Sequence, residues 1–455
     1  MSPEEKWHRA FHPVVVILTL GMAALAMTFS RGAWAGLAAG ALFALYLYWR
    51  TGAERESIRR FHVDWLMLGG GATLCLLFGL LLIAPIAQRL EALFPIGSTA
   101  VTHLRLWQDS MSLIRDYRYT GSGLGVSAMV YSTYYFLVHV PYLQHAHNLF
   151  LQVGVEQGAL GMIGFAGLVV VASVVLQQSF SRGNATTRKA GAIGTASLAA
   201  MMLHGLTDAS LYASSFAMIT FLPMGFALSL SQLTDDGKQR MGISIGGIYS
   251  TWRAGRRVIT GMRFVDDIVS RVTRQQMIGW LAGAMPIVIA MLFVFMWPGS
   301  GAAIRANWGA VLQTRAELSI YAWPEWPVQD LLRRTHIVNL EPATSEYRAA
   351  LKLNPNNVTA NRRLGQVALS IGQYDVARRR LEKAHAISYG DQTTVQLLGE
   401  VYAIQGQVEQ SVMLLGLTPA DLQERFQMRK WWYEYIDARQ EALWLNQAIA
   451  QIERR

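Results

Sequence analysis

The sequence predicts an all-α protein in two parts: a polytopic α-helical membrane domain of about seven spans, followed by an α-solenoid of helix-turn-helix repeats. Three observations carry that expectation. The 455 residues are 52% hydrophobic and only 15% charged, whereas soluble domains carry about 25% charge. Apolar runs recur along the chain, each near the roughly 20 residues that a spanning helix needs. In the C-terminal third, Leu364 and Leu398, Gly365 and Gly399, Gly372 and Gly406, and Ala377 and Ser411 all stand 34 residues apart.

Residues 1–12 are polar, with Lys6 and Arg9, and no small-residue cleavage site follows the first apolar run, so no cleavable leader is expected. From Pro13 to Tyr48 the chain is apolar except at Ser30-Arg31-Gly32, which predicts two spans joined by a tight turn. A basic loop with Arg50, Arg55, Arg59 and Arg60 precedes a third span near 63–87. Residues 88–146 are mixed and aromatic, with Arg89, Arg105, Arg115 and Arg118. A fourth span starts near Asn148 and reaches about Leu176; spans five and six follow over 190–208 and 211–231. These elements make a first domain over 1–232, with 88–146 as its outer loop. A basic loop over 233–276 contains Arg253, Arg256, Arg257 and Arg263, and a last span over 277–298 leads into a domain over 299–455.

The formal charge of +10 sits mainly in the short segments between apolar runs. That is the signature of cytoplasmic loops in a membrane protein, and it argues against a nucleic-acid partner. Placing those loops inside puts the Arg31 turn, the loop 88–146, the turn at Asp208 and the tail on the outer face of a cytoplasmic membrane. The single cysteine, Cys75, lies in an apolar run, so neither a disulfide framework nor a cysteine metal site is expected.

The tail's 34-residue offset is the period of tetratricopeptide repeats. Residues 346–351, ending at Asn354-Pro355, fit the second helix of an earlier degenerate repeat. Trp431, Trp432, Tyr433 and Trp444 are expected to cap the stack. A solenoid of this type offers a concave surface for protein partners.

The chemistry is expected around Gln144-His145-Ala146-His147-Asn148, where a polar segment meets an apolar run. Ionisable groups at such a boundary are usually functional. Two alternating histidines without a cysteine or a compact carboxylate set nearby make a poor metal site; a histidine base titrating near neutrality fits better. Asn148 is placed to cap the next helix, with Glu156 two turns further along its face. Arg31 has two open roles, anchoring a turn among headgroups or binding phosphate through its fork. Residues 104–114 have the periodicity of an amphipathic helix lying on the membrane, which carries Arg105. His204 and Asp208, four apart, are spaced to hydrogen-bond. Gly121-Ser122-Gly123-Leu124-Gly125 follows no βαβ unit and is read as a backbone turn.

Thr28-Phe29-Ser30-Arg31-Gly32, Arg105-Leu106-Trp107, the Gly121–Gly125 turn, His145-Ala146-His147-Asn148-Leu149-Phe150-Leu151 and Glu156-Gln157-Gly158 together resemble the O-antigen ligase/polymerase family over residues 13–232. The tail from Ala306 resembles that of family members carrying tetratricopeptide repeats. The resemblance implies a glycosyltransferase that moves a glycan from a polyprenyl-diphosphate carrier to a glycan or lipid acceptor hydroxyl, without cofactor or metal. Arg31 and Arg105 would hold the diphosphate and His147 would be the catalytic histidine, with His145 as its alternative. His145, Asn148, Glu156, Arg115 and Arg118 are the substrate-binding candidates. Ligation and polymerisation use the same donor and are not separable here. The family has several more spans before the Ser-Arg-Gly turn than this chain has, so a fragment, a split gene or a partner chain is expected. A competing expectation is a membrane-anchored scaffold that gathers envelope proteins through its repeats without catalysis.

Overall fold

A computed structural model describes residues 31–52, 98–135, 145–182, 184–210, 212, 217–231, 299–322, 328–416 and 421–454. The expected first, third and last spans, the basic loop 233–276, Thr28 to Ser30, Cys75 and Gln144 lie outside the described residues. Among the described residues every element is a helix. The chain divides into two compact units: residues 1–66, 147–149 and 167–271 form the first, and 67–146, 150–166 and 272–455 the second.

The first unit holds α1 (Arg31–Gly52), the end of α4 (Leu149–Arg182), α5 (Ala185–Gly205), α6 (Ala217–Thr220) and α7 (Leu222–Ser231). α1 and α5 pack antiparallel through small residues. A β-carbon on Gly36 would lie 3.0 Å from the Ala200 carbonyl oxygen, and one on Gly40 would lie 2.7 Å from Ala200 Cβ. Close backbone approach of this kind is how helices associate where lipid removes the hydrophobic drive. Asn184 caps α5, accepting the Thr187 N–H at 2.9 Å. The sixth expected span is not one helix: α6 and α7 are separated by a turn at Phe221. Leu42, Val170, Ile193, Met218 and Leu222 are all at least 60% exposed. That much apolar surface suits hydrocarbon, not water.

Among the described residues α4 is the helix long and apolar enough to cross a membrane, over Leu149–Ser181. It is interrupted at Gly158, whose φ of 64° and ψ of −162° are non-helical. The polar side chains Gln152, Glu156 and Gln157 precede the break. The stretch after it, 159–181, still exceeds the roughly 20 residues a span requires.

The second unit contains α2 (Ser98–Asp116), α3 (Ser127–Tyr135), residues 150–166 of α4 and the whole described tail. Residues 98–135 thus pack with the tail. α2 is the expected helix, but its apolar face is used inside the protein. Leu106, Trp107 and Leu113 are buried while Met111 is 40% exposed. Leu113 joins Tyr117, Val130, Val155 and Ala310 in one core cluster.

The tail runs through α8 (Ser300–Leu318), α9 (Gln329–Arg334), α10 (Glu341–Leu353), α11 (Val358–Ser370), α12 (Tyr374–Ile387), α13 (Gln392–Ile404), α14 (Val408–Leu415), α15 (Asp421–Tyr435) and α16 (Arg439–Ile452). The pairs α11/α12 and α13/α14 repeat one geometry. Gly372 (φ 81°) and Gly406 (φ 77°) make the left-handed turns inside the pairs, a backbone state that favours glycine. Gly365 faces Leu381 and Gly399 faces Leu415, each too close for a β-carbon at 2.7 and 2.8 Å. Trp432 and Tyr433 are buried in the terminal core, whereas Trp431 is 46% exposed and stacks on Tyr435.

Candidate functional site

In the first unit the site is built where α4 begins. His147 has φ 48°, a left-handed conformation that costs a non-glycine residue of order 1–3 kcal/mol and persists only where neighbours enforce it. They do so here. Asn148 is fully buried, and its side-chain amide donates to the Leu206 carbonyl at 2.8 Å. Leu149 is buried against Gly205, where a β-carbon would stand 2.9 Å from its Cδ2. The helix start is thereby fastened to the end of α5, a role for Asn148 beyond the cap expected from its position.

Asp208 lies on the turn just past α5. One of its carboxylate oxygens is within 4.8 Å of a ring nitrogen of His147. It also accepts the Ser210 N–H at 2.6 Å. It is linked to His204 by a backbone bond, Asp208 N–H to the His204 carbonyl at 3.0 Å. Gly36 meets α5 at Ala200 and His204, and Gly40 meets it at Ala196 and Ala200. The antiparallel register therefore places the Arg31 end of α1 at the same end of the unit as His204. An imidazole this close to a carboxylate serves either as a base with its orienting acid or as a cation donor set.

In the second unit, His145 lines a small cavity with Ser110, Ser127, Tyr131, Gln152 and apolar side chains of α2 and α4. Gln152 organises the wall. Its Oε1 accepts the Ala146 N–H at 2.8 Å, and its Nε2 donates to Ser127 Oγ at 2.7 Å and to Glu156 Oε1 at 2.9 Å. Ser127 Oγ donates to the same carboxylate oxygen at 2.9 Å. Glu156 is only 5% exposed, so its chemistry is that of a buried acceptor holding Gln152, which in turn holds the backbone between the two histidines. Trp107 packs on Ala146 and Leu151, which sets the α2 turn bearing Arg105 against that same backbone.

The break at Gly158 joins two sequence motifs. The carbonyls of Val155 and Glu156, freed from helical pairing, accept the Ser122 and Gly123 N–H groups at 2.8 and 3.0 Å. A β-carbon on Gly158 would stand 2.5 Å from the Gly121 nitrogen, so both glycines are needed for the backbones to meet. The glycine-rich stretch is thus a turn, as read, and its N–H groups are spent on the helix. Arg115 bonds Ser388 Oγ at 3.0 Å and Arg118 is exposed.

Fold and site together describe a helical protein with a histidine-bearing polar site at the mouth of an apolar, membrane-length helix. The class can be narrowed: residues 14–166 match the O-antigen ligase family, which supports an O-antigen ligase/polymerase-like membrane glycosyltransferase of polysaccharide biosynthesis. The matched stretch includes Arg31, Arg105, His145, His147, Asn148 and Glu156. No curated protein and no solved structure matches the chain.

Two contributors, Gln152 and Ser127, escaped the sequence reading. Gln152 carried a signal, because a polar residue four before Glu156 in an apolar run shares its helix face. Ser127 carried none, being one of many serines. Asp208 was visible, but spacing alone pointed to His204 as its partner.

Proposed function

We propose that this protein transfers a glycan from a polyprenyl-diphosphate carrier to an acceptor hydroxyl at the outer face of the cytoplasmic membrane. The observation that carries the reading is His147, inside the segment that matches the O-antigen ligase family, with a carboxylate oxygen of Asp208 within 4.8 Å of its ring. The acceptor oxygen attacks the anomeric carbon of the donor, the bond from that carbon to the diphosphate oxygen breaks, and polyprenyl diphosphate leaves. His147 takes the hydroxyl proton as that bond forms, and Asp208 orients the imidazole and offsets its new charge.

Arg31 and Arg105 neutralise the diphosphate, whose charge grows as the bond to the sugar breaks. Arg118 is an additional candidate for that anion because it stays exposed. His145, on the cavity, faces the acceptor side. Glu156 and Asn148 act one step back, holding Gln152 and the helix start. The reading includes about seven membrane spans, with the loop 88–146 and a tetratricopeptide-type tail on the outer side. Donor chemistry is common to ligation and polymerisation, so the acceptor alone separates them. A scaffold role through the inner repeat helices is disfavoured, since Arg362 and Arg363 of α11 are occupied by Asp116 of the chain itself.

The test is complementation of a strain lacking envelope-glycan transfer. His147→Ala is expected to lower transfer by about 10²-fold or more, the scale of losing a general base. Full activity of that variant, produced at wild-type level in the membrane, removes His147 from the reaction.

A further inference from the structure

The C-terminal end of α2 enters the repeat region as a ligand enters a groove. Asp116 is fully buried. Its Oδ1 accepts from Arg362 Nη2 and, at 2.9 Å, from Thr359 Oγ1, while its Oδ2 accepts from Arg363 Nε at 2.9 Å. All three partners come from the first turns of α11. The network then widens. Arg362 Nη1 reaches Asp391 at 2.9 Å, Ser112 Oγ donates to the same carboxylate at 3.1 Å, and Arg115 donates to Ser388 Oγ at 3.0 Å. Beyond the helix end, the Tyr117 hydroxyl meets Thr314 at 2.6 Å and the Tyr119 N–H donates to Asn307 Oδ1 at 2.8 Å.

Arg362 and Arg363 are only 1% and 3% exposed. Buried guanidinium groups are tolerated when fully paired, and Asp116 supplies that pairing from 246 residues away in the chain. Nothing local in α11 requires two adjacent buried arginines. The arrangement fits a surface shaped to receive α2. Arg105 stands on that same helix, about three turns and 16 Å before Asp116 at 1.5 Å per residue. Leu106, Ser110 and Leu113, between them, line the cavity of His145. α2 is therefore held at one end by the tail and at the other by the packing of Trp107 on Ala146.

We propose that the repeat region is a positioning element for glycan transfer: by gripping Asp116 with Arg362 and Arg363 it fixes α2, and through α2 it places Arg105 and the wall of the His145 cavity. Asp116, Arg362 and Arg363 are positioning residues, not catalytic ones. The proposal rests on the reading of Arg105 as a holder of the donor diphosphate.

The test uses full-length protein in membranes, with Asp116→Asn, which keeps size while removing charge, Arg362→Gln, which removes the charge and shortens the side chain, and Asp116→Glu as the conservative variant. Amide exchange over α2 is expected to quicken about tenfold in the first two, because a held element becomes a locally opening one. The KM for a polyprenyl-diphosphate glycan donor is expected to rise about tenfold, with the KM for the acceptor unchanged and partial recovery in Asp116→Glu. Unchanged exchange over α2 overturns the proposal. So does faster exchange with an unaltered donor KM, or an equal rise in both KM values, which marks a general structural defect. A wild-type protein that transfers no glycan from such a donor overturns the functional reading instead, and the exchange measurement then still decides whether Asp116 holds α2.

Discussion

The two units are held together by opposite means. In the first, α1 and α5 meet through Gly36, Gly40, Ala196 and Ala200, and large apolar side chains such as Met218, 81% exposed, face outward. In the second, charged groups are buried and paired. Arg333 bonds Glu317 at 2.8 Å, and Arg429 bonds Asp330 at 2.8 Å and Glu400 at 2.7 Å. Small residues suffice where the surroundings are lipid, because close packing is what distinguishes helix from hydrocarbon. Where the surroundings are water, ionic pairs that are satisfied inside fix which helices dock and in which register. Within the first unit His147 depends on tight packing at Gly205; within the second, α2 depends on the ion pairs of the tail.

The largest break in the comparison is expected at the centre of the second unit. Arg429→Met leaves the buried Asp330 and Glu400 carboxylates without their shared guanidinium, a change that costs about 3–5 kcal/mol in such settings. Urea unfolding of the detergent-solubilised full chain, followed by exchange over α9, α13 and α15, should show those helices opening earlier while α5 is unaffected. Equal protection in variant and wild type would mean that the ion pairs add little to docking.

Acid offers a second lever on the same contrast. Burial raises the carboxyls of Asp330 and Asp391, but Arg429 and Arg333 beside the first, and Arg362 and Thr394 beside the second, outweigh it and hold both below the usual range. A depressed pKa stabilises the folded state above the unfolded value and loses that contribution as pH falls through the folded one. Glu400 works the other way, since its burial raises its pKa and acid relieves it. Within the tail, with two groups against one, protection of the helices carrying Asp330 and Asp391 should decline below about pH 4, the unfolded carboxylate range, while the glycine-packed first unit holds. Protection that stays flat in the second unit down to about pH 3 contradicts this balance.

Glycines test the comparison on a smaller scale. Gly158→Ala forces a side chain into φ 64° and against the backbone of Tyr119 and Gly121, with an expected cost of about 3 kcal/mol. Gly40→Ala meets the Ala200 methyl at 2.7 Å and the Ala196 carbonyl oxygen at 3.1 Å without a strained φ; helix propensity returns up to about 1 kcal/mol, so its net cost should be about 1 kcal/mol. Thermal unfolding of the two variants side by side ranks them, and a reversed order would mean that the α1–α5 seam is the more rigid of the two.

How far the sequence could be read follows the same division. The helical class, the 34-residue geometry of α11 to α14 and the turn at Gly121–Gly125 were legible, because period and glycine placement are local properties. The family match was legible as a run of motifs, His145 to Asn148 foremost. Partners were not. Nothing near Asp116 announces Arg362, and spacing pointed Asp208 to His204 without announcing that His147 lies within 4.8 Å of its carboxylate. The break at Gly158 was hidden in an apolar run that reads as continuous helix, since the groups that satisfy its carbonyls come from Ser122 and Gly123, outside the run.

The smallest expected effect compares one device in both units. Asn184 caps α5 by accepting the Thr187 N–H, and Asn357 caps α11 by accepting the Ala360 N–H, both at 2.9 Å. Replacing either by alanine orphans one helix donor and typically costs about 1 kcal/mol. The consequences should differ with position. Asn184 is exposed at the far end of α5 from Asp208, so Asn184→Ala should fray α5 locally and leave transfer unchanged. Asn357 precedes the α11 turn that carries Thr359, Arg362 and Arg363 to Asp116. Its loss should loosen the grip on α2 and raise the donor KM about two- to threefold, a fraction of the cap energy reaching the site. Equal donor KM values for the two cap variants would show that the first turn of α11 does not transmit to α2, and that the tail grips through Arg362 and Arg363 however α11 begins.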